Sequence, residues 1–258
     1  MAKRPMDYFA KTLEKGMRIL NLFDYGHSTW SLTAIAEKIG MNLTSTYRLA
    51  NTFIEMGYLN KDPKTKLLRL GPMAVAMGNR ILRGFDLNRM IEPIVDEIHH
   101  KYNVSIEISL LQSNLMVQIY NIEETATLTY NQEAVSALLY CTASGKSILA
   151  NLPKEELEEL ANRQSFERRT DRTLSDKECL YIDLESVRKR GYAINNEEYI
   201  KGLIAMAAPI LHQNTTRPIG SVTFTSTILK HSMAEFEEQY SAVLCALAKR
   251  LSEMMPKV

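Results

Sequence analysis

The 258-residue sequence is poor in cysteine, in long apolar runs and in net charge. Its three cysteines, Cys141, Cys179 and Cys245, are odd in number and far apart, which excludes a disulfide framework and a zinc ribbon. The role left to them is that of small buried hydrophobes. The longest uninterrupted apolar stretch, Leu203–Leu211, is nine residues and contains Pro209, too short to cross a bilayer. The opening MAKRPMDYFAK has no hydrophobic signal core, so a cytoplasmic location with no membrane partner is expected.

Catalytic patterns are missing as well. No Gly-x-Ser-x-Gly motif occurs. Ser144-Gly145-Lys146-Ser147 ends like a phosphate-binding P-loop, but Tyr140 stands where that pattern needs its first glycine. His99-His100 has no partner one turn away to make a helical zinc pair. Glu197 and Glu198 are adjacent, so on a strand they face opposite ways and on a helix they diverge by about 100°, which disfavours shared acid/base work. Neither an enzyme nor a cofactor or metal is expected.

What is present is unevenly distributed. The formal charge is +1, yet residues 1–90 carry 14 basic and 7 acidic side chains against 17 and 23 in the remainder. A basic head and an acidic body point to a nucleic-acid footprint confined to one end. The length fits two domains, and 45% hydrophobic with 24% charged residues is ordinary for a globular chain.

The head is most informative over Ser31–Tyr58. Leu32, Ile35, Ala36 and Ile39 recur at helical spacing, Ser31 is placed as an N-cap, and Gly40 stops the helix. Asn42 caps a second helix in which Thr46, Leu49, Ala50 and Phe53 form the inward stripe. Its outward stripe carries Thr44, Ser45, Arg48 and Asn51, side chains able to donate to phosphates or read base edges. A helix of about 15 residues, roughly 22 Å long, fits a major groove. The segment Asn60–Leu70 then reads as a wing: Asp62-Pro63 favours a turn, Lys66 to Leu70 alternate as an edge strand, and Lys61, Lys64 and Lys66 would follow a phosphate backbone.

Leu13, Met17, Leu20 and Phe23 supply the apolar stripe of a preceding third helix. Pro72–Gly84 reads as a connector helix whose Met73, Val75, Ala76, Met77 and Ile81 could pack on a partner chain or within one chain. In the body, Leu87–Tyr102 is helical, and Val104–Leu110 with Leu115–Ile122 reads as an antiparallel hairpin with one wet face. Helices are expected at Ser144–Asn151, Lys154–Arg163 and Asp176–Arg190, strands at Ile204–Leu211 and Ile219–Thr225, and a last helix at Met233–Met254. No internal repeat is visible. The layer solution is α+β, an antiparallel sheet with helices against it.

Three long motifs in order, LTAIAEKIGMNLTSTYRLANTFIEMGYL with KTKLLRLG in the head, LLYCTASGKSILA, and RKRGYAINNEEYIKGLIAMAAPI with PIGSVTFTST in the body, make the chain similar to the IclR family of bacterial transcriptional regulators over nearly its whole length. The resemblance implies a winged helix-turn-helix at 10–71, a connector helix at 72–86 and a PAS- or GAF-like effector-binding and oligomerisation domain at 87–258. It implies operator binding as a dimer or a dimer of dimers, with repression, the favoured sign, or activation of a metabolic operon tuned by a small metabolite. Thr44, Ser45, Tyr47 and Arg48 fall where the family contacts DNA. The family's effector pocket falls on Ala143, Ser144, Asn195, Ala205, Thr223 and Thr225. Independently, Ala143-Ser144-Gly145 at a helix start offers amides for an anion, and Thr223 and Thr225, two apart on a strand, point the same way.

Two departures stand out. Asn195 replaces an aspartate common among relatives, adding donor capacity, and Ala205 replaces a cysteine found in some. An organic acid is the expected effector, its rival an aromatic or uncharged molecule held by Leu139 and Met206. A different class of function, a small-molecule sensor or enzyme whose helical head mediates protein contacts, is distinguishable by the salt dependence of DNA binding.

Overall fold

Helix caps and glycine stops divide the chain much as the sequence indicates. The computed structural model describes residues 9–23, 27–84, 86–124 and 135–254. It divides into two compact units, residues 1–85 and 86–258. In the first, α1 (Lys11–Leu20), α2 (Leu32–Ile39) and α3 (Leu43–Glu55) surround a core of Ile19, Phe23, Ile35, Ile39, Ala50, Leu59 and Leu68. Ser31 Oγ accepts the Ala34 amide at 3.1 Å and Asn42 Oδ1 accepts the Ser45 amide at 2.8 Å, each cap contributing about 1 kcal/mol. Gly40 closes α2 at φ 68°, a left-handed conformation that suits glycine.

The face of α1 differs from the expected one. Leu13 and Met17 are exposed at 65% and 41%, whereas Gly16 and Ile19 are buried. The reason is close approach: a Cβ on Gly16 would stand 3.3 Å from the Phe53 ring, so glycine lets α1 lie against α3. An apolar-only stripe does not register a buried glycine.

The wing consists of β1 (Leu59–Lys61) and β2 (Leu68–Leu70), antiparallel with Leu59 opposite Leu70. Trp30 adds a bridge to Leu68, exchanging backbone hydrogen bonds of 2.9 and 2.8 Å. Lys66, expected to open the strand, instead occupies the turn at φ 61°. Helix α4 (Pro72–Gly84) follows. Met73, Val75 and Met77 on it are exposed, Ala76 is half-buried, and the Ile81 side chain lies outside the described residues.

The second unit begins with α5 (Asp86–Tyr102) and continues through β3 (Ser105–Gln112), β4 (Leu115–Ile122) and β5 (Val135–Ser136). Next come α6 (Ala143–Asn151), α7 (Lys154–Asn162), α8 (Lys177–Arg190), β6 (Ala193–Asn196), β7 (Leu203–Leu211), β8 (Pro218–Thr227) and α9 (Met233–Met254). The strands form one antiparallel sheet in the order β5-β4-β3-β8-β7-β6. Because side chains alternate across a strand, Ile204, Met206, Ala208, Val222, Phe224, Ile106 and Ile108 face α5 and α9, where they meet Val95, Phe236, Tyr240 and Leu244. The opposite face is covered by α6 to α8 through Ile148, Leu149, Leu157, Leu180 and Leu184.

That second covering layer overturns the expected wet face of the β3–β4 hairpin. Ser109 is 1% exposed; alternation identifies a polar face but does not show that helices far along the chain return to roof it. The short strands β5 and β6 also escaped the sequence pattern. Of the cysteines, all free, only Cys141 is buried, while Cys179 and Cys245 are half-buried, so the expected burial applies to one of the three.

Candidate functional site

Two surfaces collect the residues singled out in the sequence, one in each unit. On α3, Thr46 and Ala50 turn inward, leaving Thr44, Tyr47 and Arg48 exposed and Ser45 and Asn51 half-buried. Tyr47 and Asn51 line a groove of about 210 Å³ together with Ser31 and Thr33 at the start of α2 and Lys61 and Lys66 of the wing. Lys64 is exposed on the turn. The turn is held by Asp62, whose Oδ1 accepts the Lys64 and Thr65 amides at 2.8 Å each. The Thr65 and Lys64 amides hold its carboxyl below the usual carboxylate range. Lys66 Nζ donates to the Pro63 carbonyl at 2.7 Å, so part of its donor capacity is spent within the turn. The arrangement places hydroxyls, an amide, a guanidinium and ammonium groups along one edge, the set that reads bases and phosphates.

In the second unit the sheet face beneath α6 encloses a cavity of about 50 Å³. Ala143, Ala205 and Ala207 pack together, so small residues allow α6 to approach β7. Gly145 lets the segment before α6 fold tightly against that helix, since a Cβ there would meet the Leu139 Cα at 2.4 Å. Thr142 caps α6, its Oγ1 accepting the Gly145 amide at 3.2 Å. Gly145 therefore does not offer its amide to an anion as expected, and the start of α6 presents Ala143 and Ser144.

Five of the eight expected effector contacts, Ala143, Ser144, Asn195, Ala205 and Thr223, line this cavity. Three do not. Leu139 is buried in the apolar cluster under α6, its amide donating to Gln164 Oε1 at 3.0 Å. Met206 follows Ala205 on β7 and so faces the opposite side of the sheet, in the core against α9. Thr225 shares the face of Thr223 but stands opposite Ser105 and Ala205, outside the cavity lining. Glu107, Ser109, Gln118, Thr142 and Tyr199 are lining residues the sequence reading missed. The hairpin alternation had set Glu107 and Ser109 on one face; the missing step was recognising that face as the floor of the site.

Polar groups here are largely committed. Asn195 Nδ2 donates to the Cys141 carbonyl at 2.6 Å and its Oδ1 accepts the Glu198 amide at 3.0 Å. Lys146 Nζ lies 2.7 and 2.8 Å from the Glu198 carboxylate oxygens and 2.9 Å from Asp183 Oδ2, which gives the P-loop-like lysine a structural role. Burial pushes the Glu198 carboxyl above its ordinary pKa, opposed by Lys146. Glu197 instead accepts the Gly202 amide at 2.9 Å, so the two glutamates are not a catalytic pair. By contrast, Thr223 Oγ1 is buried with no hydrogen-bond partner. A wider hollow of about 910 Å³ runs past Arg168, Arg172 and Lys201, but it is an open cleft where Arg169 stacks on Tyr199 at 4.6 Å, and among the described residues no buried unpartnered side-chain atom lines it.

Two family models match the chain, one toward each end. The family described as IclR helix-turn-helix domain matches residues 12–63, and that described as bacterial transcriptional regulator IclR C-terminal matches residues 79–253. The transcriptional regulator XynR of Escherichia coli is 26% identical, the alignment covering 93% of this chain and 97% of that protein. The crystal structure of IclR from Thermotoga maritima superposes with a TM-score of 0.69 at 28% identity, covering 94% of this chain and 98% of that one. An IclR homologue from Microbacterium hydrocarbonoxydans, solved with 4-hydroxybenzoate, shares the fold with a TM-score of 0.75 at 17% identity, covering 94% and 98%. With the family matched over both its reading head and its helix-roofed sheet, this chain belongs to the IclR family of ligand-responsive, DNA-binding bacterial transcriptional regulators.

Proposed function

We propose that residues 10–71 read operator DNA, that residues 72–86 connect, and that residues 87–258 bind an effector and hold the protein as a dimer or dimer of dimers that represses a metabolic operon in the cytoplasm. Thr44, Ser45, Tyr47, Arg48 and Asn51 enter the major groove, while Lys61, Lys64 and Lys66 contact phosphates. The observation that carries this reading is the groove shared by Tyr47, Asn51, Lys61 and Lys66 beside the exposed Thr44 and Arg48. The exposed Met73, Val75 and Met77 on α4 supply apolar surface for self-association.

The effector occupies the cavity lined by Ala143, Ser144, Asn195, Ala205 and Thr223, in keeping with the 4-hydroxybenzoate held by the Microbacterium homologue. At about 50 Å³ the cavity is below the roughly 300 Å³ of ordinary ligand sites, so binding requires α6 or the strands beneath it to yield. That movement is the step through which ligand and DNA affinity are coupled.

A fluorescence anisotropy titration of the full chain on duplex from its own upstream region, against a scrambled duplex, tests the reading as salt is raised. Affinity should fall steeply with salt while the preference for the upstream sequence persists. Equal binding to both duplexes would favour the rival reading, a head that contacts proteins.

A further inference from the structure

The cavity floor has a chemical polarity that the family-derived contacts do not describe. Glu107 on β3 and Thr223 on β8 are register partners, directly opposite one another, and both line the cavity. On an antiparallel pair such side chains share a face and stand about 5 Å apart. The Glu107 carboxylate accepts a hydrogen bond from Ser109 Oγ, the one donor recorded on it among the described residues. Thr223 Oγ1 is buried without a partner, and the residue is 4% exposed. No lysine, arginine or histidine is among the described residues lining the cavity; Lys146, two residues beyond Ser144, is turned to Glu198 and Asp183.

A carboxylate that accepts and an unsatisfied hydroxyl that can donate stand side by side, a receptor for a group able to do both. Glu107 is half-buried, and desolvation pushes its carboxyl above its ordinary pKa, opposed by the Ser109 hydroxyl. A ligand hydroxyl placed between the two would donate to the carboxylate and accept from Thr223 Oγ1, satisfying both. At the opposite wall, α6 begins with Ala143 and Ser144, where helix amides favour an electron-rich group.

Resting on the effector-binding reading of the body, we infer that Glu107, paired with Thr223, is the specificity-determining residue of the site, and that the effector is a small hydroxylated molecule whose alcohol or phenol hydroxyl docks on that pair. A ligand carboxylate, where one is present, lies away from Glu107, toward the start of α6. The ligand hydroxyl, not an acid group, sets the discrimination. A site built to hydrogen-bond a hydroxyl rejects the analogue lacking it far more strongly than an apolar pocket can.

Isothermal calorimetry with matched probes tests this on the full chain: lactate against propionate, glycolate against acetate, and 4-hydroxybenzoate against benzoate. At least one hydroxylated probe should bind about tenfold or more tightly than its partner, and the preference should shrink to within about twofold in Glu107→Leu and in the isosteric Thr223→Val, either of which suffices should the other fail to fold. Equal binding within every pair, a preference unchanged in both variants, or no binding by any hydroxylated probe would each overturn it. Operator affinity measured with the same probes separates the two readings. Deoxy probes that bind as tightly as their hydroxylated partners and shift DNA affinity sink the hydroxyl inference while the effector reading stands. A hydroxylated probe that binds with the predicted preference but leaves DNA affinity unmoved does the reverse.

Discussion

Asn195 on β6 donates from Nδ2 to the carbonyl of Cys141, 2.6 Å away in the segment leading into α6. The bond ties the edge of the sheet to the loop that delivers the cavity roof, and it requires a donor at residue 195. Asn195→Asp would set a buried acceptor against a buried carbonyl. Loss of about 1–3 kcal/mol is expected for such an unsatisfied pair, read as a lowered thermal unfolding midpoint. An aspartate variant as stable as the wild type would mean that the bond contributes nothing.

Lys146, 1% exposed, is held between Glu198 and Asp183. Lys146→Met leaves Glu198 buried and unpaired, a change of about 3–5 kcal/mol. The double variant Lys146→Met, Glu198→Met replaces the pair by apolar volume and should recover most of that loss. Chemical denaturation of the two variants distinguishes a true ion pair, where the second substitution compensates, from independent packing, where it adds further loss.

The pH dependence of stability follows from Glu107. Its folded-state pKa is raised above the ordinary 4.5 by desolvation, so the folded form holds the proton more tightly than the unfolded chain. Its contribution is present below pH 4.5 and is lost as pH rises through the raised folded value. Glu107→Gln should therefore unfold at a higher temperature than wild type at pH 7 and at the same temperature near pH 4. Melting curves across that interval check the sign; a variant less stable than wild type at pH 7 would contradict it.

Lys64, exposed at the wing tip, is assigned to phosphate contact. Lys64→Ala should weaken binding to upstream and scrambled duplexes alike, and lower the salt-dependence slope by about 1. A loss confined to the upstream duplex would move Lys64 from backbone contact to base reading.

Legibility in the sequence tracked how local each determinant is. Caps at Ser31 and Asn42 and the stop at Gly40 are short-range chemistry, and they set α2 and α3 where the pattern placed them. The outward stripe of α3 was likewise readable, because Thr46 and Ala50 fix its inner face. The cavity was half readable. Thr223 and Ala205 follow from strand alternation, but the same rule assigns Met206 to the opposite face, and reliance on neighbourhood in sequence put it in the wrong place. Glu107 and Ser109 were hidden because their role depends on α6 folding back over the sheet, a contact no local pattern encodes. Gly16 carried no apolar signal, although its lack of a side chain is what lets α1 meet Phe53.

The exposed ridge of α3 is proposed to read DNA sequence, and Arg48 is the guanidinium on it. Anisotropy titrations of Arg48→Ala on upstream and scrambled duplexes should show the preference for the upstream sequence reduced by about 1–3 kcal/mol, with thermal stability unchanged because the side chain is exposed. A variant that folds normally and keeps the full sequence preference of the wild type would contradict the account.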